Sequence, residues 1–247
     1  MSFANKHVAI TGGTGEIGLA MAAAFAAQGA QVTLLDKTPP SGAVAATVEA
    51  IGARFQSMDV TDERSVNAAV SSLAGLDVAI ANAGVHRGAR FLELSAENWR
   101  LMLEVNLTGV FLFCQAVARK MVARNAGGAI VITGSWVQDV PNVDNTGYCT
   151  SKAGVSMLAR CMALELGELG IRVNVVAPGI VDAGMAKRQI QIDPAFARKA
   201  LKGIPLGRLQ TAEQVAQAAV FLGSEQAASV TGVTLLVDGG LSLFKYE

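Results

Sequence analysis

Short, almost uninterrupted apolar runs alternate along the chain with longer segments in which apolar residues recur at helical spacing. Such runs are typical of parallel strands buried on both faces, and the segments between them are typical of crossover helices. Seven runs lie at residues 7–10, 32–36, 54–58, 76–81, 129–133, 172–177 and 234–237. The pattern predicts one α/β domain over residues 1–247, with a doubly wound, mostly parallel seven-stranded sheet flanked by helices.

A glycine-rich turn separates the first apolar run from the first helical segment. Residues 11–18 read TGGTGEIG, and Asp36 ends the next run. An acid about twenty residues beyond such glycines completes the dinucleotide-binding fingerprint of a Rossmann fold. The glycines admit a pyrophosphate to the helix N-terminus, and the acid binds the ribose hydroxyls. The turn predicts cofactor contacts from Gly12, Gly15, Ile17 and Gly18.

The charge of Asp36 bears on which dinucleotide binds. A carboxylate at this position repels the 2′-phosphate of NADP, so the sequence favours NAD. Lys37 follows directly and can soften that preference.

Composition excludes several classes of protein. The chain has 51% hydrophobic and 16% charged residues, which is typical of a well-buried globular domain and not of a disordered one. Twenty basic and twenty acidic residues cancel, so neither nucleic acid nor an anionic membrane is an expected partner. We expect the three cysteines to be reduced thiols and the two histidines to bind no metal. No signal-peptide core and no membrane span stand out, so we expect a cytoplasmic protein.

Tyr148 and Lys152 are spaced to share one face of a helix. An ammonium beside a phenol favours the ionised phenol, which suits a proton donor or acceptor in alcohol and carbonyl chemistry. The pair alone is a weak signal. Ser135 follows the run at 129–133, Asn82-Ala83-Gly84 closes the run at 76–81, and the glycine turn precedes both. Together and in this order, these motifs resemble the classical short-chain dehydrogenase/reductase family over nearly the whole chain.

The resemblance implies four catalytic residues. Tyr148 is the acid or base, Ser135 holds the carbonyl oxygen, and Lys152 lowers the pKa of the phenol and binds the nicotinamide ribose. Asn106 lies in the segment VNLTG at 105–109, where relatives use an asparagine to position a water that links the lysine to solvent. A plain hydrogen-bonded core asparagine is the alternative reading of Asn106.

The resemblance also implies cofactor contacts along one edge of the sheet. Asp59 and Val60 lie where relatives contact the adenine, and Pro178-Gly179 lies where they pass the nicotinamide. The backbone of Val181 is expected to hold the carboxamide. The full expected set is Gly12, Gly15, Ile17, Gly18, Asp36, Asp59, Val60, Asn82, Ala83, Gly84, Tyr148, Lys152, Pro178, Gly179 and Val181.

Two positions depart from the family pattern. Glu16 stands where classical members place a glycine, a spacing closer to the extended branch with its sugar-nucleotide epimerases, for whose added domain this chain is too short. We expect its carboxylate to point away from the pyrophosphate and to interact with the positive end of the helix that follows the glycine turn. Ala183 stands where a threonine is usual, so one cofactor contact is lost or supplied differently.

The substrate side stays open at this point. Residues 182–205 have helical fragments but no strand pattern, as suits a substrate lid. Polar residues between Ser135 and Tyr148 can bind a sugar or polyol or can form a solvated loop, namely Gln138, Asp139, Asn142, Asp144 and Asn145. Trp136, Val140, Val143 and Met185 instead suit a cyclic or hydrophobic ketone. His86 and Arg87 can line the cleft, although a surface loop is the simpler reading.

Three functions therefore compete. The leading one is an NAD-dependent dehydrogenase of a secondary alcohol, which in this family is a homotetramer with its last strand at a subunit interface. A 3-oxoacyl-thioester reductase that uses NADPH is the alternative enzyme, and Asp36 counts against it. A catalytically silent NAD-binding module is the alternative from another class, and it has no need of all four catalytic residues.

Overall fold

The computed structural model describes residues 1–192 and 201–243. Its centre is a seven-stranded sheet in the order β3-β2-β1-β4-β5-β6-β7. Every neighbouring pair of strands is parallel. The predicted fold class is confirmed, and the strand order reverses between β1 and β4, which is where open α/β sheets form a binding crevice.

The strands agree with the apolar runs to within two residues at either end. They are β1 (His7–Thr11), β2 (Gln31–Asp36), β3 (Arg54–Ser57), β4 (Val78–Ala81), β5 (Gly128–Thr133), β6 (Ile171–Pro178) and β7 (Thr234–Val237). The α-helices are α1 (Glu16–Ala26), α2 (Gly42–Ala50), α3 (Glu63–Ser72), α4 (Ala96–Leu103), α5 (Gly109–Arg124), α6 (Thr146–Leu166), α7 (Gly184–Ile192) and α8 (Ala212–Gly223).

The core is divided between the two faces of the sheet. Phe113, Val117 and Met121 of α5 pack on one face together with residues of α3 and α6. Phe25 of α1 and Val215 of α8 pack on the other face. Both faces are covered by helices, which explains why the strands read as apolar runs and do not alternate.

The helical stretch at 96–124 is interrupted. A π-helical segment, Glu104–Thr108, separates α4 from α5. The whole stretch Ala96–Arg124 is long and apolar enough to cross a membrane by length and composition, but half of its most apolar window is buried inside the molecule. Its apolar residues are therefore those of a core helix.

The predicted lid is described only in part. Helix α7 lies within residues 182–205, and its first residue, Gly184, has a φ of +54°. Residues 193–200 and the side chain of Met185 lie outside the described part of the chain.

Candidate functional site

One asparagine links the strand ends that border the crevice between β1 and β4. Thr11 Oγ1 accepts hydrogen bonds from the backbone N–H groups of Asn82 at 2.9 Å and Ala83 at 3.0 Å. The side-chain amide of Asn82 donates to the carbonyl oxygens of Thr11 and Gly12, each at 3.2 Å. Its oxygen accepts from Thr133 Oγ1 at 3.2 Å. Asn82 thereby ties together the carboxyl ends of β1, β4 and β5.

The glycine turn leaves no room for side chains on its inner side. Gly12 has a φ of +60°, and a Cβ there would lie 2.8 Å from the Cα of Ala83. A Cβ at Gly18 would collide with the carbonyl oxygen of Gly12. Gly15 precedes α1, and no side chain of the described residues caps this helix start. The first-turn N–H groups can therefore receive an anion, so the turn fits a pyrophosphate.

Asp36 and Lys37 are both engaged. Asp36 Oδ2 accepts from the Thr14 hydroxyl at 2.6 Å and from the Thr14 N–H at 3.2 Å, which ties the acid to the glycine turn. The Lys37 ammonium pairs with Asp59 at 2.7 Å. Lys37 and the hydrogen bonds from Thr61 lower the pKa of the Asp59 carboxyl to about 2. The basic residue that can soften a preference for NAD is thus partly neutralised by Asp59.

Glu16 reaches across to the start of α7. Its carboxylate accepts a hydrogen bond from the Gly184 N–H at 3.1 Å and lies 3.9 Å from the Lys187 ammonium. Gly184 is the first residue of α7, so the carboxylate sits at the positive end of that helix. Its orientation relative to a bound pyrophosphate stays a prediction.

Ser135, Tyr148 and Lys152 meet at the carboxyl end of β5. Ser135 follows β5, and its hydroxyl acts on the phenol of Tyr148, whose pKa it lowers. Tyr148 and Lys152 stand one turn apart on α6, with the ammonium 5.6 Å from the centroid of the phenol ring. Lys152 Nζ donates to the carbonyl oxygen of Thr133 at 2.7 Å. The lysine is almost fully buried, at 3% exposure.

Burial shifts both titrating groups toward their neutral forms. It raises the pKa of the Tyr148 phenol to about 12, and the Ser135 hydrogen bond offsets this only in part. It lowers the pKa of the Lys152 ammonium to about 8. The sequence predicts that Lys152 lowers the pKa of the phenol, but in this structure desolvation of the phenol dominates.

Asn106 occupies the π-helical segment. Its side-chain oxygen accepts from the Val85 N–H at 2.8 Å, and its amide donates to the Val85 carbonyl at 2.8 Å and to Ser151 Oγ at 3.2 Å. Single-turn π segments are frequent at functional sites. A Cβ on Gly84 would lie 3.4 Å from the Asn106 oxygen and 3.9 Å from Lys152 Nζ. Asn106 therefore lies against the same pocket of polar groups as the lysine.

The remaining predicted cofactor residues lie along the same edge. The Gly179 N–H donates to the Val237 carbonyl at 3.0 Å, directly after Pro178 ends β6. Val181 is buried and forms an isolated parallel bridge with Gln210. Val60 contacts the start of α5, since its side chain lies only 3.0 Å from where a Cβ on Gly109 would be. Ala183 is buried as well, and its N–H donates to the Val181 carbonyl at 2.7 Å.

The sequence favoured a surface-loop position for His86, but the structure packs its side chain against Tyr148. Its ring lies edge-on to the Tyr148 ring, with centroids 5.3 Å apart and an interplanar angle of 87°. Its Nε2 contacts Asn145 Oδ1. The signal available in the sequence was its place two residues after Gly84, at a strand end in the crevice. Arg87 is exposed, as a surface loop predicts.

The side chain of Gln138 points into the protein interior, so it does not fit the predicted role of a sugar- or polyol-binding residue. It is 7% exposed and donates to Ser156 Oγ at 3.2 Å and to Thr234 Oγ1 at 3.0 Å. Its oxygen accepts from the Ser135 N–H at 3.5 Å. Gln138 thus supports the backbone of Ser135.

Comparison with known proteins agrees with this arrangement. A family model described as enoyl-(acyl carrier protein) reductase matches residues 13–242. The 3-oxoacyl-(acyl-carrier-protein) reductase of Chlamydia trachomatis is 35% identical, over 96% of this chain and 98% of its own length. A gluconate 5-dehydrogenase from Burkholderia cenocepacia, solved with NADP and tartrate, superposes with a TM-score of 0.92 at 31% identity and covers 99% and 98% of the two chains. An NAD⁺-bound xylitol dehydrogenase superposes with a TM-score of 0.91 at 30% identity and covers 97% and 100%.

The chain belongs to the short-chain dehydrogenase/reductase family. It is an oxidoreductase of CH–OH groups that uses a nicotinamide cofactor and a small-molecule substrate.

Proposed function

We propose that the protein is an NAD(H)-dependent dehydrogenase that interconverts a secondary alcohol, such as a sugar, polyol or cyclic alcohol, and its ketone. The observation that carries the proposal is the convergence of Ser135, Tyr148, Lys152 and Asn106 beside the glycine turn, in the crevice between β1 and β4. Side chains from three separate segments, the end of β5, the π-helical segment and α6, have to be placed correctly for this to occur.

In this mechanism Tyr148 moves the proton of the reacting hydroxyl. Ser135 donates a hydrogen bond to the substrate oxygen, so developing charge meets a donor that is already in place. A bound nicotinamide supplies the acceptor or donor of the hydride. Because the phenol is buried with a raised pKa, it is a proton donor at neutral pH and requires help to ionise for alcohol oxidation.

Lys152 and Asn106 provide that help. The Lys152 ammonium is held by the Thr133 carbonyl next to the phenol, where its charge favours a phenolate in the transition state. Asn106 is fixed by the backbone of Val85 and positions a water that connects the lysine with solvent. The proton leaves the site along this route.

The preference for NAD over NADP rests on Asp36. Its carboxylate is held at the glycine turn by Thr14, at the position where the ribose of a bound dinucleotide lies. Lys37 is paired with Asp59, which reduces its effect on the charge of Asp36. A 2′-phosphate would therefore be repelled by the Asp36 carboxylate.

The first experiment measures absorbance at the reduced-nicotinamide band with NAD and NADP against sugars, polyols, cyclic alcohols and hydroxyacyl thioesters. Turnover with NAD that disappears in Tyr148→Phe, while the variant still binds NADH, supports the proposal. Turnover that persists in the variant would overturn the proposed mechanism.

A 3-oxoacyl-thioester reductase is the second candidate, and the Chlamydia trachomatis relative favours it. Turnover confined to NADPH and oxoacyl thioesters would identify it. The position of Asp36 argues for the dehydrogenase.

We also propose a lid over residues 182–205, a homotetramer and a cytoplasmic location. The hydrogen bond between Glu16 and α7 supports the lid.

Exposed apolar side chains support the homotetramer, namely Leu236 on β7 and Met157 and Leu164 on α6. Gel filtration with light scattering tests the tetramer.

A further inference from the structure

His86 stands against the proposed acid–base residue without belonging to the family motif that identified it. It lies on the connection after β4, which starts at the crevice between β1 and β4. Its ring packs edge-on to Tyr148 at 5.3 Å between centroids. The imidazole is therefore a direct neighbour of the side chain that would bind the reacting oxygen.

Asn145 fixes the orientation of the imidazole. Asn145 Nδ2 donates to the Val143 carbonyl at 2.9 Å, so its amide nitrogen faces that carbonyl. The amide oxygen then faces His86 Nε2, and an oxygen can only accept. Nε2 carries the proton, and Nδ1 of the neutral ring is an acceptor. Among the described residues Nδ1 has no hydrogen-bond partner.

The two connections that carry this pair are fastened to each other. The Ala89 N–H donates to the Asp144 carbonyl at 2.9 Å, and Arg90 pairs with the Asp144 carboxylate at 3.0 Å. A Cβ on Gly88 would lie 3.2 Å from His86 Cε1 and 3.3 Å from the Asp144 carbonyl. The imidazole is thus packed between the backbone at Gly88 and the Tyr148 ring, and an ordered acceptor loses less entropy on binding a ligand.

We propose that His86 is a substrate-binding residue whose Nδ1 accepts a hydrogen bond from a hydroxyl adjacent to the reacting carbon, which selects vicinal diols and polyols over simple secondary alcohols. Asn145 is the positioning residue for this contact. The inference rests on the proposed dehydrogenase function and narrows its substrate class. An apolar ketone would leave the acceptor unpaired.

The test compares two ring alcohols that differ by one hydroxyl, cyclohexane-1,2-diol and cyclohexanol, with xylitol as an open-chain polyol. The wild-type protein should show a kcat/KM for the diol and for xylitol that is roughly tenfold or more above that for cyclohexanol, since a site built to bind a hydroxyl rejects the analogue that lacks it. His86→Phe keeps the ring packing and removes the acceptor. It should abolish the preference and leave cyclohexanol within about twofold of its wild-type value.

Matched variants separate substrate binding from disturbance of the loop. Glu93→Gln changes an exposed side chain of the same connection and should leave all three substrates unaffected. Asn145→Ala should raise KM for the diol with little change in kcat, and Asn145→Asp, which keeps an acceptor oxygen, should restore it. If His86→Phe lowers kcat/KM equally for the diol and for cyclohexanol, His86 only supports Tyr148, and the proposal is overturned. An unchanged preference for the diol would overturn it as well.

A binding measurement tests the role of His86 independently of the proposed dehydrogenase activity. If no alcohol is oxidised with either cofactor, the dehydrogenase proposal fails by itself. Saturation-transfer NMR of xylitol on the complex with NADH then decides the role of His86. Binding that weakens in His86→Phe and not in Glu93→Gln supports the contact, and equal or absent binding in all three proteins contradicts it.

Discussion

The two halves of the sheet reach their function through different kinds of contact. The nucleotide half, β1 to β3 with α1, depends on close backbone approach, as at Gly12 and Gly18, with no space for a side chain. The chemical half, β4 to β6 with α6, depends on buried polar side chains such as Asn106 and Lys152, which bond to backbone carbonyls. In the nucleotide half the backbone leaves no space for additional side-chain atoms. In the chemical half, burial in the protein interior shifts the pKa values of the ionisable groups. Substitutions of the glycines should therefore act sterically, and substitutions of the buried polar residues should act electrostatically.

Removal of the proposed oxygen-binding donor should have the largest effect. Ser135→Ala deletes the hydroxyl that meets developing charge, and we expect kcat to fall by about 10²- to 10³-fold. Fluorescence titration should find NADH affinity almost unchanged, since Ser135 lies in the chemical half. A large loss of NADH affinity would show that the two halves are not separable.

The buried ammonium should make stability depend on pH. The pKa of Lys152 is about 8 in the folded protein against its ordinary value of 10.5, so between these values the unfolded chain binds more protons. The wild-type protein should therefore gain up to about 3 kcal/mol relative to Lys152→Met as the pH rises through this window. Urea unfolding of both proteins at pH 7.5 and pH 9.5 measures it. A gap that does not change with pH would contradict the assigned cause.

A methyl group in the glycine turn should damage the nucleotide half alone. Gly18→Ala drives a Cβ into the Gly12 carbonyl, and we expect NADH affinity to fall by about 2 kcal/mol from the displaced turn. Gly167→Ala is the control, because a Cβ there meets open space. Isothermal titration with NADH should find a loss in the first variant and none in the second.

The charge of Asp36 should have the smallest effect of the four. Asp36→Asn keeps an oxygen for Thr14 and removes the repulsion of a 2′-phosphate, so NADPH binding should improve roughly tenfold, or about 1.4 kcal/mol. Glu49→Gln, on the exposed side of α2, should leave the ratio of NADH to NADPH affinity as it is. If Asp36→Asn behaves like this control, another group sets cofactor preference.

Much of the fold was readable because its signals are local. The apolar runs predicted all seven strands, and the start of α8 has a capping box formed by Thr211 and Gln214, which are only three residues apart. The break in the helix at Glu104–Thr108 was not readable, since a π segment changes the hydrogen bonding of a single turn and no proline marks it in this sequence.

The sequence alone determined the class of fold, the glycine turn and the acid at Asp36, because each is encoded in a short run or a fixed spacing, and resemblance to the family added the proposed catalytic set. The tertiary structure decided which distant groups meet. Glu16 finds Gly184, 168 positions away, and His86 finds Asn145, 59 positions away, through the packing of separate elements. It also decided that burial, more than the neighbouring lysine, governs the pKa of Tyr148, because desolvation depends on everything packed around a group and has no signature in local sequence.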